Sequence, residues 1–316
     1  AVSQRGRRPT LIRLNESLVA LAVDIHPRQA VIAMVDLNGR LISRSTAPLS
    51  RDAAASTDLI LDAMARMKAD FGSLSIEGIG VSLPGRVDPQ IEQLLFAPNL
   101  HWRDFDLKGA IERRMKQPVH VANAAIACLL AQLTFHHGEG NRDAVLITAS
   151  EGVGAAIFAN GSVITGHDGM AGEFGHISID PGGPECACGQ RGCWEVFASC
   201  RAALRYFKEL QPQHRVVNFG ELLNLAEEGN PHAGTAIERQ AREIGEGLRL
   251  VTAALSPAVV YIAGEVTSAW HRYRPAIEKA VRGMTIAGSP PAIVPIPDGD
   301  LARLRGAAAL VFQRRA

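Results

Sequence analysis

The order of strand-like and helix-like segments occurs twice along the chain, and this doubling limits the fold more than any other feature. SLVALAVDI (17–25), AVIAMVDL (30–37) and RLISRSTA (40–47) are three β-runs, the last two separated by the hairpin pair Asn38-Gly39. A helix-period segment near 51–71 follows, then the strand IEGIGVSL, a helix around 107–116, the strand PVHVAN and the helical AAIACLLAQL. The order then restarts. AVLITAS, VGAAIFAN and SVITG form a second set of three β-runs with a turn at Asn160-Gly161. After an insertion come helices near 200–210, 218–228 and 232–255, the strand AVVYIAG, a helix after Ser268, the strand AIVPI and a closing helix near 301–314. Two meanders, each feeding helix–strand alternation, imply a duplicated α/β fold with one mixed sheet per half. The cleft between two such lobes is the natural ligand site.

A chain of 316 residues with 47% hydrophobic and 21% charged side chains can fill the cores of two lobes. No run of 18 apolar residues is present and the first residues, AVSQRGRRPT, lack the apolar region of a secretory signal, so a cytoplasmic location is expected. Lys+Arg 33 against Asp+Glu 32 gives a net charge of +1, without the basic excess that binds DNA by counterion release. Residues 1–16, with Arg5, Arg7 and Arg8 beside Pro9, read as a solvated linker. The lobes are expected at 17–135, completed by the closing helix 301–316, and at 136–300.

The insertion GEFGHISIDPGGPECACGQRGCWE (172–195) brings His176, Cys186, Cys188 and Cys193 within eighteen positions. Three thiolates and an imidazole make a tetrahedral set for Zn²⁺, and Gly189 and Gly192 let the backbone turn tightly around an ion. Four protein ligands leave no open position, so the expected role is structural, fixing Glu173 and Glu195 on either side. A cluster of reduced buried thiols is the plainer alternative. Cys128 and Cys200, in apolar or helical context, read as ordinary buried thiols.

The segment GHISIDPGGPECACGQRGCWE closely resembles the signature of the ROK family of bacterial sugar kinases, uncharacterised reading frames and sugar-responsive repressors. The resemblance continues through ALAVDI, VSLPGRVD, FAPNLHW, VHVANAA, GVGAAIFANG, AGEFGH and YIAGE. It implies the duplicated actin-like fold of sugar kinases and Hsp70 proteins, with zinc on His176, Cys186, Cys188 and Cys193. It also assigns sugar-hydroxyl contacts to Asn99, Asn123, Glu173, His176 and Glu195, with Gly85 approaching through its backbone. Without the resemblance, Asn99 and Asn123 read equally as caps of turns or helices, and Glu173 and Glu195 as carboxylates beside the metal or on the surface.

The family's kinases take the sugar proton with an aspartate directly after an asparagine, and here the pair is Asn123-Ala124. A methyl group accepts no proton, and Asp143, the next carboxylate downstream, lies beyond the following helix. Where those kinases read Asp-x-Gly-Gly-Thr, Asp24 is followed by Ile25-His26-Pro27-Arg28, which adds bulk and removes an amide donor. Glu151 stands in the second phosphate loop, and the glycine run expected beneath adenosine reads Ala263-Gly264-Glu265. No catalytic residue is therefore assigned. The expectation is a sugar-sensing, dimeric or tetrameric effector body of a ROK regulator, whose relatives carry a winged helix-turn-helix ahead of a segment similar to GRRPTLIRLN (6–15). No such head precedes Ser17, so the chain reads either as an effector fragment, touching operator DNA through a head outside it, or as a naturally headless homologue. An active sugar kinase and a ligand-free scaffold for another protein are the alternatives.

Overall fold

A computed structural model describes residue 15 and residues 17–135, 143–283 and 289–313. The linker expected at 1–16, Asn15 apart, lies outside the described residues. The first half opens with β1 (Leu18–Ile25), β2 (Gln29–Asp36) and β3 (Leu41–Pro48), continues through α1 (Ala53–Asp70) and β4 (Ser75–Leu83), and then inserts β5 (Arg86–Val87), β6 (Leu94–Ala97) and β7 (Trp102–Phe105). It ends with α2 (Leu107–Met115), β8 (Val119–Asn123) and α3 (Ala124–Phe135). The second half runs β9 (Ala144–Ala149), β10 (Val153–Ala159), β11 (Ser162–Ile164), the metal loop, then α4 (Glu195–Ala198), α5 (Cys200–Leu210), α6 (Phe219–Glu227) and α7 (Pro231–Leu255). β12 (Val259–Ala263), α8 (Trp270–Arg282), β13 (Ala292–Pro295) and α9 (Gly299–Gln313) complete it.

The two main sheets have the orders β3-β2-β1-β4-β8 and β11-β10-β9-β12-β13, so each half places its third, second, first, fourth and fifth strand in the same sequence. β1 pairs antiparallel with β2 and parallel with β4, and β9 does the same with β10 and β12. The duplication expected from the sequence is thus a duplication of topology. The hairpin sheet β5-β6-β7 was not expected: its strands of two to four residues are too short to show a period.

Strand β1 is buried on both faces. Its odd positions Val19, Leu21, Val23 and Ile25 join Ile60 and Met64 of α1, while Ala20 and Ala22 lie against Leu304, Ala307 and Ala308 of α9. The alternation of large and small side chains lets α9 approach closely. In the same way Val145 and Ile147 of β9 face Ile244 and Leu248 of α7, and Ala144 and Leu146 face Cys128 and Leu129 of α3. Helix α3, which the sequence reading leaves with the first lobe, therefore packs against the second sheet, and α3 and α9 lie between the two sheets. No helix among the described residues is long and apolar enough to cross a membrane.

The α3–α9 contact depends on Gly306, where a Cβ would fall 1.8 Å from the Ala127 carbonyl oxygen. Substitution Gly306→Ala must push the helices apart. Overpacking of this kind is expected to lower the unfolding free energy by about 1–3 kcal/mol in urea titrations, and an unchanged midpoint would contradict the close approach.

Candidate functional site

The carboxyl ends of β1, β8 and β9 open into a cleft of about 280 Å³ between the lobes, the position at which α/β sheets bind ligands. Gly85, Asn99, Asn123 and Glu195 all line it. Gly85, in the tight link from β4 to β5, has φ 130° and would place a Cβ 2.5 Å from the Phe96 carbonyl oxygen, so only glycine fits. Asn99 sits in the single 3₁₀ turn after β6 and is exposed. Asn123 ends β8 and its Oδ1 accepts the Ile126 amide at 2.8 Å, capping α3. The cap and the cleft position coexist, and the Asn123 amide nitrogen has no protein acceptor among the described residues. Glu195 Oε2 accepts the Val153 amide at 3.0 Å, and Arg201 lies 3.6 Å from its other oxygen.

Glu173 and His176, also expected at the ligand, do not line this cavity. They form a short 3₁₀ turn (Glu173–His176) that packs behind β10, where Gly175 closely approaches the Val153 carbonyl. The His176 ring divides its nitrogens: Nδ1 lies 3.6 Å from Cys186 Sγ and Nε2 lies 3.8 Å from Glu173.

The four expected metal ligands converge. One donor atom from each of His176, Cys186, Cys188 and Cys193 falls within 4.8 Å of every other, with Cys188 and Cys193 sulfurs 3.6 Å apart. Metal–sulfur bonds of about 2.3 Å in a tetrahedron put sulfurs about 3.8 Å apart, so the donor set fits a single transition-metal ion. The cysteines are free thiols. Burial, reinforced by hydrogen bonds with Cys188 and Cys186, pushes Cys193 up to about 12. A cation is what lets such crowded thiols ionise together. Trp194 follows Cys193 directly, is buried, and donates its indole N–H to the Glu243 carbonyl of α7 at 2.7 Å. The loop thereby fixes Glu195, the next residue, in the cleft wall.

On the opposite wall, Asp24 is almost fully buried at the end of β1. Its carboxylate accepts from Ser82 Oγ at 3.0 Å and from Arg303 Nε at 2.8 Å, and His26 Nε2 lies at 2.7 Å. Burial opposes the Arg303 charge, but Asp24 and its neighbours more than offset that and raise its pKa. His26 and Pro27 stand in the cleft beside this group, and Glu151 and Glu265 line the second-lobe side. Ala124 lines the cleft directly after Asn123. Asp143 precedes β9 at the end remote from Thr148, roughly 16 Å away at about 3.3 Å per residue. Cys128 and Cys200 are buried; burial pushes Cys128 up to about 12 and holds Cys200 well above the usual thiol range. Sequence reading missed Arg303 and Arg201. Arg303 meets a partner 279 positions away, and no local pattern reports such a contact.

These features define a two-lobed actin-like sugar-kinase fold with a metal loop beside its cleft. The ROK family profile matches residues 20–314, and the chain belongs to the ROK family. It is 30% identical over 308 residues to a glucokinase of Streptomyces coelicolor, covering 93% of this chain and 95% of that one. It is 28% identical over 268 residues to the xylose repressor of Bacillus subtilis, covering 84% of this chain and 69% of the repressor. Among solved structures, a ROK glucokinase from Streptomyces griseus in complex with glucose and AMPPNP superposes with a TM-score of 0.83 at 30% identity, covering 93% of this chain and 99% of that one. Relatives thus include both kinases and repressors.

Gly192 closes the metal loop at φ 65°, and a Cβ there would fall 1.5 Å from the Asp180 carbonyl oxygen. Gly192→Ala is expected to weaken metal retention about 10- to 100-fold, the range for disturbed support around ligands, read by competition with a chromogenic chelator. Retention equal to wild type would show that the loop does not set the donor geometry.

Proposed function

We propose that this chain is the sugar-sensing, oligomerising effector body of a ROK transcriptional regulator, a cytoplasmic repressor of carbohydrate-use genes that binds its sugar without phosphorylating it. The observation that carries the reading is the pair Asn123-Ala124 at the cleft: the asparagine and the Glu195 carboxylate remain, while the position after the asparagine offers a methyl group. Phosphoryl transfer needs a base within reach of the attacking hydroxyl and donors around the phosphates. Here Glu195 is engaged by the Val153 amide, and Asp24 is engaged by Arg303, Ser82 and His26. Glu151 and Glu265 set negative charge where a nucleotide would bring more.

A sugar in the cleft meets the Gly85 backbone, the Asn99 and Asn123 amides and Glu195, and the proposed site extends to Glu173 and His176, which do not line the cavity itself. Paired hydroxyls suit these donors and acceptors, and a hydroxyl left unmatched in the closed cleft costs about 1–3 kcal/mol, which is the source of selectivity. His176, Cys186, Cys188 and Cys193 would hold Zn²⁺ in a structural role, keeping the 3₁₀ turn and Glu195 in register, and elemental analysis should give one zinc per chain. The sugar acts through its unequal affinity for two lobe arrangements. In a homodimer or homotetramer that difference resets the spacing of DNA-binding heads on operator DNA.

The kinase reading is favoured by the end-to-end match to the glucokinase of Streptomyces coelicolor. A coupled assay of ATP consumption with magnesium and a panel of hexoses, N-acetylhexosamines and their 6-phosphates separates the two. Wild type should show no turnover above the sugar-free background, and Ala124→Asp alone should not create it, because His26, Pro27 and Glu151 still obstruct the phosphates. Sugar-dependent ATP consumption by wild type would falsify the proposal.

A further inference from the structure

A second cavity of about 200 Å³ lies between the lobes, behind the cleft and separated from it by Asn123, which borders both. The first half contributes the β5 hairpin, the end of β8 and one face of α3, and the second half contributes β11 and the loop to Ala171. The tail of α9 closes it. Its walls are largely aliphatic: Val121, Ile126, Leu130, Val163 and Leu310. Gly169, at φ 68°, would place a Cβ 3.2 Å from both Pro89 and the Val87 carbonyl, so the second-lobe loop sits directly on the hairpin.

One cationic side chain, Arg86, lines this cavity. Among the described residues its buried Nε has no hydrogen-bond partner, and the rest of the half-buried guanidinium has one, Nη2 donating to the Asp168 carbonyl at 3.4 Å. A buried unpartnered N–H on a permanently charged group is expensive, and a guanidinium fork matches two carboxylate oxygens. Glu92 also lines the cavity, but it is engaged by Lys108 Nζ at 2.6 Å and by His120 Nδ1 at 3.3 Å. Its charge makes the wall unfavourable for a dianion. A cavity of about 150 Å³ accepts benzene, so this one takes a molecule slightly larger than that.

The geometry points to a second small-molecule site that binds a short aliphatic monocarboxylate, its carboxylate on Arg86 and its hydrocarbon among Val121, Ile126 and Leu130. The sugar cleft does not serve this ligand: its guanidinium, Arg303, is already paired with Asp24, and the Glu151, Glu195 and Glu265 carboxylates repel an anion. Because both halves line the second cavity, its occupant touches both lobes.

The test is a titration of the zinc-loaded chain, without sugar, with isovalerate, followed by saturation-transfer NMR and calorimetry. Inorganic phosphate and isopentanol serve as the dianion and neutral probes. Saturable isovalerate binding is expected, weakened at least tenfold by Arg86→Met and also by Val163→Phe, which fills the cavity and leaves the charge in place. Both variants should melt within a few degrees of wild type; if either does not, Leu130→Phe is the replacement for filling the cavity and Arg86→Gln for removing the charge. Absence of isovalerate binding to wild type, wild-type affinity retained by either the charge-free or the filled variant, or preferential binding of phosphate or isopentanol overturns the site. Sugar binding to wild type, measured separately, is unaffected by any of these outcomes.

Discussion

Three consecutive residues join the metal loop to helix α7 and to the cleft. Cys193 closes the four-donor cluster, Trp194 buries its ring against α7 with its N–H on the Glu243 carbonyl, and Glu195 reaches the Val153 amide at the cleft. The loop has little regular structure of its own, so its donor set is what defines its shape. His176 extends the link backwards, with one ring nitrogen toward Cys186 and the other toward Glu173. An ion at this cluster would fix both acidic residues from outside the cleft, without entering it.

The opposite wall is organised by a buried ion pair. Asp24 and Arg303 join the first strand to the last helix, and Ser82 and His26 also engage the carboxylate. A carboxylate so engaged has little left to offer an incoming polar group, and removing one partner would leave the other charge buried and uncompensated. The pair sits where α9 crosses the gap between the lobes, beside the Gly306 contact with α3. Stability and lobe geometry are therefore set by the same helix, and a ligand that changes the lobe arrangement must act against that packing.

Much of this was legible in the sequence. Short continuous apolar runs and period-3.6 patterns carried the strand and helix order, because β1, β2 and β9 are nearly all apolar and α5 and α7 are amphipathic. The metal ligands were legible because they lie within eighteen residues on one loop. Contacts made across the chain were not. Arg303 reaches Asp24 over 279 positions, and α3 crosses to the second sheet through Cys128 and Leu129, which read only as generic apolar residues. Glu173 and His176 carry the right chemistry, but the 3₁₀ turn behind β10 sets them outside the cavity wall, a matter of backbone path that residue type does not encode. The placement of Arg86 in a cavity lined from both halves likewise emerges only in the folded chain.

The proposed role, sugar sensing without phosphorylation, is tested most directly by binding measured apart from turnover. Calorimetric titration of the metal-loaded chain with individual hexoses, N-acetylhexosamines and sugar phosphates, and separately with ATP and magnesium, reads both halves of the claim at once. The account predicts micromolar to millimolar affinity for one sugar, lost on Glu195→Gln, and no heat with ATP. Tight ATP binding, or no response to any sugar, would contradict it.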